Sequence, residues 1–404
     1  MLLKAIRFRG ALRTCGGVLS LLVAVVIFSS WPTFVFMWTR SAEKKHLARI
    51  IEQSIAKQQM IGAGLQLAIA SPVVPQSRNK RLILSWGTPW DLPWYQEGHV
   101  VGDCTITYNK HRIQEVGAVM FHYTALDQET MPWKHYRASD QFFVFWSMDS
   151  PAYVKNEKNR DVTKFDNSFI NWTMTYRLDS DIFSPFLQST EAKRLFYSVG
   201  RTTVQRLLNK KSKVALWLVN DCNHLKGSTE RVKYVQALVG AGLPVTKYGR
   251  CFGNQEEYSA HRPDELLSYK FFLAFENAKD CRYYVTENFW RNAIHYGRVP
   301  VVWGTSKKDL MKIAPGSSFI HTEDFKSPTH LAEYLLYLDK NDTAYREYFN
   351  WIGTPLQRDR IIAQLYQRTR EEALCNKVMS NPTPKITESV TDFFFNSESN
   401  TCLA

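Results

Sequence analysis

The chain has 404 residues, too many for one ordinary domain and enough for two with appended segments. Its formal net charge of +13 asks for an anionic partner such as nucleic acid, a membrane surface or a negatively charged small substrate. No basic block exceeds a few positions, so no nucleic-acid partner is expected. The 12 Trp and 19 Tyr suit a large core and surfaces on which flat ligands stack.

Residues 1–15 begin with Lys4, Arg7, Arg9 and Arg13 and no acid. Gly16 to Trp38 then runs without a charge, long enough to cross a bilayer as a helix, with Arg40 just beyond. The basic flank favours a signal anchor with a short cytoplasmic tail and the rest of the chain across the membrane. A cleaved signal peptide is the alternative, but Trp31, Phe34, Phe36 and Trp38 continue the apolar run where small residues would end it. Residues 39–79 read as a stem, with a helix candidate over Glu43 to Gln59 and an extended linker at Ser71 to Ser77.

From Arg81 the pattern changes. Leu82 to Trp86, Ala118 to His122 and Gln141 to Trp146 read as strands of a first α/β domain, residues 80–212. A second series follows over 213–352, with a strand in Lys213 to Asn220, a helix around Thr229 to Gly240 and a strand from Pro244. Residues 353–404 are set apart as a C-terminal helix and tail. Cys15 adjoins the apolar run, and Cys104, Cys222, Cys251, Cys281, Cys375 and Cys402 are an even set that an oxidising lumen would pair into three bridges, with connectivity left open. Asn171-Trp-Thr and Asn341-Asp-Thr are glycosylation sequons on the side that this topology sends across the membrane. His261, His295 and His321 lack ligand spacing and read as ordinary histidines.

The most informative stretch runs from Lys270 to Gly304. Phe271 to Phe275 is a strand ending on Glu276–Asn277; a polar loop and a helix-like segment lead to a second strand, Val299 to Trp303, closed by Gly304. Ligands of such β-loop-α-β units sit where strands end and helices begin, so Glu276, Asn277 and Tyr284 to Asn288 mark a candidate site. The order FxLAFEN, YxTExxWRNA, GxVPVVxG resembles the donor-binding signature of the α1,3-fucosyltransferase family. MDSP at Met148–Pro151, NWTMTYRLDSDI at Asn171–Ile182, SFIHTEDFKSP at Ser318–Pro328 and LAEYLLYLDKN at Leu331–Asn341 follow the same family order, so the likeness spans about Leu82 to Trp351.

The resemblance implies a GT-B-like fold, two Rossmann-like domains facing across a cleft, the first binding a glycan acceptor and the second GDP-fucose. It implies Asp149 as the catalytic base, in a position where the family usually carries Glu; Asp is one methylene shorter, and base catalysis depends on hydrogen-bond distance. It implies donor contacts from Arg231, Asn277, Tyr284, Glu287 and Asn288, with Glu287 on the ribose hydroxyls. Arg231 and the helix start at Tyr284 to Asn288 would hold the diphosphate. Asn288 stands where the family usually has Lys, which removes a charge from the cleft; Arg291 is the first candidate to replace it, then Lys279 and Arg282. Asp179-Ser-Asp181 looks like a DxD metal motif but falls in a block of a family that needs no divalent metal, so a structural or acceptor-side role shared with Arg177 is expected.

The reading is therefore a single-pass Golgi enzyme, catalytic part lumenal, moving L-fucose from GDP-fucose to the 3-hydroxyl of N-acetylglucosamine or glucose in a glycan with inversion, requiring no cofactor, with homo-oligomerisation left open. The changes at positions 149 and 288 raise one alternative, a catalytically weakened member that binds glycans or a partner protein. A transferase using another nucleotide sugar is a second.

Overall fold

The computed structural model describes residues 79–89, 92–126, 130–135, 137–157, 161–187, 189–198, 201–260, 263–352, 357–396 and 402. The expected anchor at 16–38, the tail before it and the stem up to residue 78 lie outside the described residues, as does His261. No helix among the described residues is long and apolar enough to cross a membrane.

Two sheets organise the remainder. The first contains β1 (Asn79–Gly87), β2 (Val100–Val101), β3 (Cys104–Thr107), β4 (Val116–His122), β5 (Phe142–Ser147), β6 (Trp172–Thr175) and β7 (Ile182–Phe183), in the order β2-β3-β1-β4-β5-β6-β7. The second contains β8 (Lys213–Leu218), β9 (Val245–Tyr248), β10 (Tyr269–Phe275), β11 (Val299–Trp303) and β12 (Ile320–His321), in the order β12-β11-β10-β8-β9. Every pairing is parallel except β2 with β3. Parallel sheets are covered on both faces, so their strands read as unbroken apolar runs, and β4, β5 and β10 are buried at every position. This two-sheet α/β architecture fits the GT-B-like expectation. The unanticipated strands β3 and β6 are four residues each, too short for their periodicity to stand out.

In each sheet the first strand lies inside, with its successors on both sides. Such a reversal of strand order opens a crevice at the carboxyl ends of the strands. In the first sheet those ends are Gly87, His122 and Ser147; in the second they are Leu218, Phe275 and Trp303. Contacts between the lobes hold these ends near one another. Asn156 Nδ2 lies 3.0 Å from His224 Nε2, and Arg282 Nη1 donates to Asp179 Oδ2 at 3.3 Å.

The C-terminal segment differs from its expected place as a separate helix and tail. Leu374, Cys375 and Val378 of the helix Arg370–Met379 share a core with Ile83, Ala118, Met120 and Val144 on one face of the first sheet. Val390 and Phe394 join Phe121, Phe145 and Phe165 on the other. The first lobe therefore needs both ends of the catalytic region to close its core, a long-range pairing that a pass along the chain cannot see.

Three disulfides use all six cysteines of the even set: Cys104–Cys375, Cys222–Cys251 and Cys281–Cys402. The first pins the returning helix to β3.

Asn171 corrects a second expectation. It is only 6% exposed; its Oδ1 accepts from Phe143 N–H at 2.8 Å and its Nδ2 donates to the Lys385 carbonyl at 2.7 Å. This asparagine splices β5 to the C-terminal segment, and its amide is not at the surface to carry a glycan. Asn341 is partly exposed and caps the helix Asp342–Arg346 by accepting from Ala344 N–H.

Cross-links that close longer loops restrict the unfolded chain more. Opening Cys104–Cys375, 271 residues apart, by paired Ser substitutions should cost about 2 kcal/mol more stability than opening Cys222–Cys251, 29 residues apart. Denaturant unfolding of the oxidised variants measures both; equal losses would show that the returning helix holds without its bridge.

Candidate active site

Strand ends from both sheets line one cavity of about 550 Å³. From the first lobe come His122 at the end of β4 and Met148–Asp149 after β5; from the second come Asn220–Asp221 after β8 and Glu276–Asn277 after β10. Asp149, Arg231, Asn277, Tyr284, Glu287, Asn288 and Arg291, scattered over more than a hundred residues of chain, all border it.

Asp149 sits in a turn made by two local features. Ser147 Oγ accepts from Asp149 N–H at 3.2 Å, and Ser150 caps the helix Pro151–Asn156 by accepting from Tyr153 N–H at 3.2 Å, with Pro151 in the first helical position. The carboxylate is partly exposed, and Tyr123 Oη donates to its Oδ2 at 2.8 Å. Burial pushes its pKa upward; the Tyr123 bond opposes this, and Glu157 and Glu287 add to the rise. A carboxylate so placed is a stronger base than a solvated one.

On the opposite side, the helix Lys226–Gly240 starts close against the end of β10. A Cβ at Gly227 would lie 2.5 Å from the Asn277 carbonyl oxygen, so the close approach requires glycine. Asp221 fastens that start, accepting from His224 N–H at 3.0 Å and Ser228 Oγ at 2.6 Å. Arg231 then reaches under the cavity, only 5% exposed. Its Nη1 donates to the Phe275 carbonyl at 2.6 Å and its Nη2 to the Asp221 carbonyl at 2.5 Å, while Nε has no partner among the described residues. The fork expected to clasp a diphosphate thus gives one N–H from each terminal nitrogen to a carbonyl, one at the end of β10 and one in the loop after β8. What remains for an anion is the positive charge and three of the five N–H groups, the buried Nε–H among them.

The helix start is also arranged differently from the expectation. Glu287–Trp290 is a single turn capped by Thr286, whose Oγ1 accepts from Asn288 N–H at 3.2 Å. Thr286 N–H donates to Glu276 at 2.9 Å, and Phe289 N–H to the Thr286 carbonyl at 3.2 Å. These N–H groups are taken within the protein and are not available to a diphosphate. Glu276, the acid of the FEN string, is thus a buried bracket for Thr286, and burial, the largest of its causes, pushes its pKa up to about 8.

Tyr284 is buried edge-on to Tyr176 and Phe186, with centroids 5.0 and 6.0 Å away, and Glu287 is exposed at the rim. Asn288 Oδ1 accepts from Asn292 Nδ2 at 3.1 Å. Arg291 borders the cavity but faces Glu191 at 3.7 Å. Lys279 and Arg282 do not border it; they lie 4.0 Å from Glu230 and 3.3 Å from Asp179.

Sequence reasoning missed Arg370, Trp94 and His122. Arg370 borders the cavity with its guanidinium 4.0 Å over the Trp94 ring and Nε donating to Glu371 at 2.8 Å. Nothing in the sequence relates it to the cleft before the C-terminal segment is placed. His122 was legible in principle, as the last residue of an expected strand.

Both carboxylates of the Asp179-Ser-Asp181 string are engaged. Arg177 grips Asp179 through Nε at 2.8 Å and Nη2 at 2.6 Å; Lys385 and Thr173 N–H hold Asp181 at 2.6 and 3.0 Å. The string ties the first lobe to Arg282 and to the C-terminal segment. Among the described residues no group of three or more His, Cys, Asp or Glu could hold a metal ion.

A carboxyl whose pKa is higher in the folded state keeps a proton that the unfolded chain has already lost. Its contribution therefore favours folding at low pH and fades as pH rises from its ordinary value of 4.5 to about 8. Glu276→Gln should flatten that part of the stability profile, read as thermal midpoints between pH 5 and 8. An unchanged slope would assign the dependence to other groups.

The model of the fucosyltransferase N-terminal region matches residues 78–187, and that of the glycosyltransferase family 10 (fucosyltransferase) C-terminal region matches residues 208–393. The 3-galactosyl-N-acetylglucosaminide 4-α-L-fucosyltransferase FUT3 of Bos taurus is 33% identical, over 72% of this chain and 74% of its own. The 4-galactosyl-N-acetylglucosaminide 3-α-L-fucosyltransferase FUT5 of Homo sapiens is 33% identical over the same shares. A crystal structure of an α1,3-fucosyltransferase aligns with 78% of this chain and 95% of that one, at 16% identity and a TM-score of 0.46. By both matched regions and by its relatives, this chain belongs to glycosyltransferase family 10, the α1,3-fucosyltransferases.

Proposed function

We propose that this enzyme moves L-fucose from GDP-fucose to the 3-hydroxyl of an N-acetylglucosamine or glucose unit in a glycoprotein or glycolipid glycan, inverting the anomeric centre. One observation carries the reading: a base-competent carboxylate from one lobe and a buried guanidinium from the other meet at a single cavity. The relatives' names support the acceptor, since they specify transfer to the 3- or 4-position of galactosyl-N-acetylglucosamine units.

In this account Asp149 takes the proton of the acceptor hydroxyl. The freed oxygen bonds to the fucose anomeric carbon from the face opposite GDP as the bond from that carbon to the phosphate oxygen breaks, and GDP leaves with the electron pair. Arg231 supplies positive charge beneath the departing diphosphate and Arg291 supplies it from the rim. Glu287 accepts from the ribose hydroxyls, with Asn277, Tyr284 and Asn288 as neighbouring donor contacts. No divalent metal takes part. The apolar run at 16–38 supports placing the enzyme as a single-pass Golgi protein with its catalytic part in the lumen, where the three disulfides are stable.

Incubation with GDP-fucose, a panel of other nucleotide sugars and a glycan array, followed by linkage analysis, tests donor, acceptor and position together. Asp149→Asn should lower turnover by about 10²–10⁴-fold while GDP affinity stays within about twofold. Because burial raises the Asp149 pKa, the wild-type rate should fall on acidification at a pH above the ordinary aspartate value of 3.8. Full activity in Asp149→Asn removes the base assignment. GDP binding with no GDP release on any acceptor favours the second reading, a weakened glycan-binding member, which the missing charge at Asn288 supports.

A further inference from the structure

Phenols and carboxylates from both lobes act electrostatically on or with Asp149. Tyr123 comes from the segment after β4, Tyr153 and Glu157 from the helix that follows Asp149 and the residue after it, and Tyr176 from the position just after β6. Tyr284 and Glu287 come from the second lobe. All are acids or phenols. The cations bordering the same cavity, Arg231, Arg291 and Arg370, are each turned to other partners. Burial first, and then the charges of Glu157 and Glu287, drive Asp149 toward its neutral form, which cannot act as a base.

One contact opposes this. β4 and β5 are parallel neighbours with His122 beside Trp146, so Tyr123, the first residue after β4, arrives level with the end of β5, just before the turn that carries Asp149. Tyr123 is 2% exposed and does not border the cavity, yet its phenol is 2.8 Å from Asp149 Oδ2. Oδ1 has no partner among the described residues.

We propose that Tyr123 is a positioning residue for fucosyl transfer: its O–H, donated to Asp149 Oδ2, keeps the carboxylate ionised and fixed, leaving Oδ1 to receive the acceptor proton. This rests on the reading of Asp149 as the base. Tyr123 keeps its own proton throughout; the acceptor's proton goes to Oδ1, and the electron balance of the transfer is unchanged. The bond is to a charged acceptor, which makes it among the stronger hydrogen bonds a neutral donor forms.

Tyr123→Phe removes only the hydroxyl and keeps the ring in its core. In the full chain it should lower kcat by about 10–100-fold, the effect of losing one hydrogen bond to a charged group. KM for donor and acceptor should stay within about twofold, and the acidic limb of kcat against pH should move up by about one unit. Replacing Tyr123 with 3-fluorotyrosine, a more acidic phenol, should move that limb down. Limbs that stay put in both forms overturn the proposal. If the Phe variant fails to fold, as judged by its thermal midpoint, the fluorinated form decides alone by whether its limb falls or stays. Asp149→Asn separates the two levels: retained turnover there sinks the base reading itself, whereas lost turnover with unmoved limbs sinks only the role of Tyr123.

Discussion

A buried guanidinium ties the end of β10 to the loop that follows β8. Removing a full charge from water is costly unless it is hydrogen-bonded and balanced, and Arg231 meets that cost with the Phe275 and Asp221 carbonyls and the neighbouring Asp221 carboxylate. The same bonds fix where the two loops leave the sheet, Asn220–Asp221 on one side and Glu276–Asn277 on the other. Glu276 brackets Thr286, and Thr286 caps the turn that presents Glu287 and Asn288. Most of the second lobe's share of the cavity thus depends on one arginine whose role is first structural. Its three remaining N–H groups and its charge are what it can offer an anion.

The first lobe's contribution is centred on Asp149. This is a carboxylate surrounded by acids and phenols, within a chain whose net charge is +13. The positive total therefore says little about the site. Charge in the cleft is mixed on both sides: the second lobe brings Asp221, Glu276 and Glu287 along with Arg231 and Arg291, and the first brings Asp149 with Arg370 from the helix packed on it. Contacts across the join between lobes hold the two walls together. Asp179, held by Arg177 and touched by Arg282 from the other lobe, is part of that join.

Much of this was legible in the sequence. The apolar runs at Ala118 to His122, Phe271 to Phe275 and Val299 to Trp303 are strands because parallel sheets bury both faces, and the matched strings gathered seven cavity residues before any fold was known. What failed was tertiary. A sequon cannot reveal that Asn171 lies buried beneath Lys385. Motif spacing cannot show that Thr286 and Glu276 consume the N–H groups of a one-turn helix. Arg370 approaches Trp94 only because the chain returns to its first lobe at the end. Tyr123 gained meaning only from the register of β4 on β5.

The central claim is that a base and a nucleotide-sugar grip, contributed by different lobes, act on one bond. The most direct test is an experimental structure of the enzyme with GDP and an acceptor glycan bound together. The account predicts the reacting hydroxyl about 2.6–3.2 Å from the Asp149 carboxylate, with the diphosphate over Arg231 in the same cavity. A complex with GDP bound there but the acceptor hydroxyl beyond reach of Asp149, on another face of the protein, would contradict it.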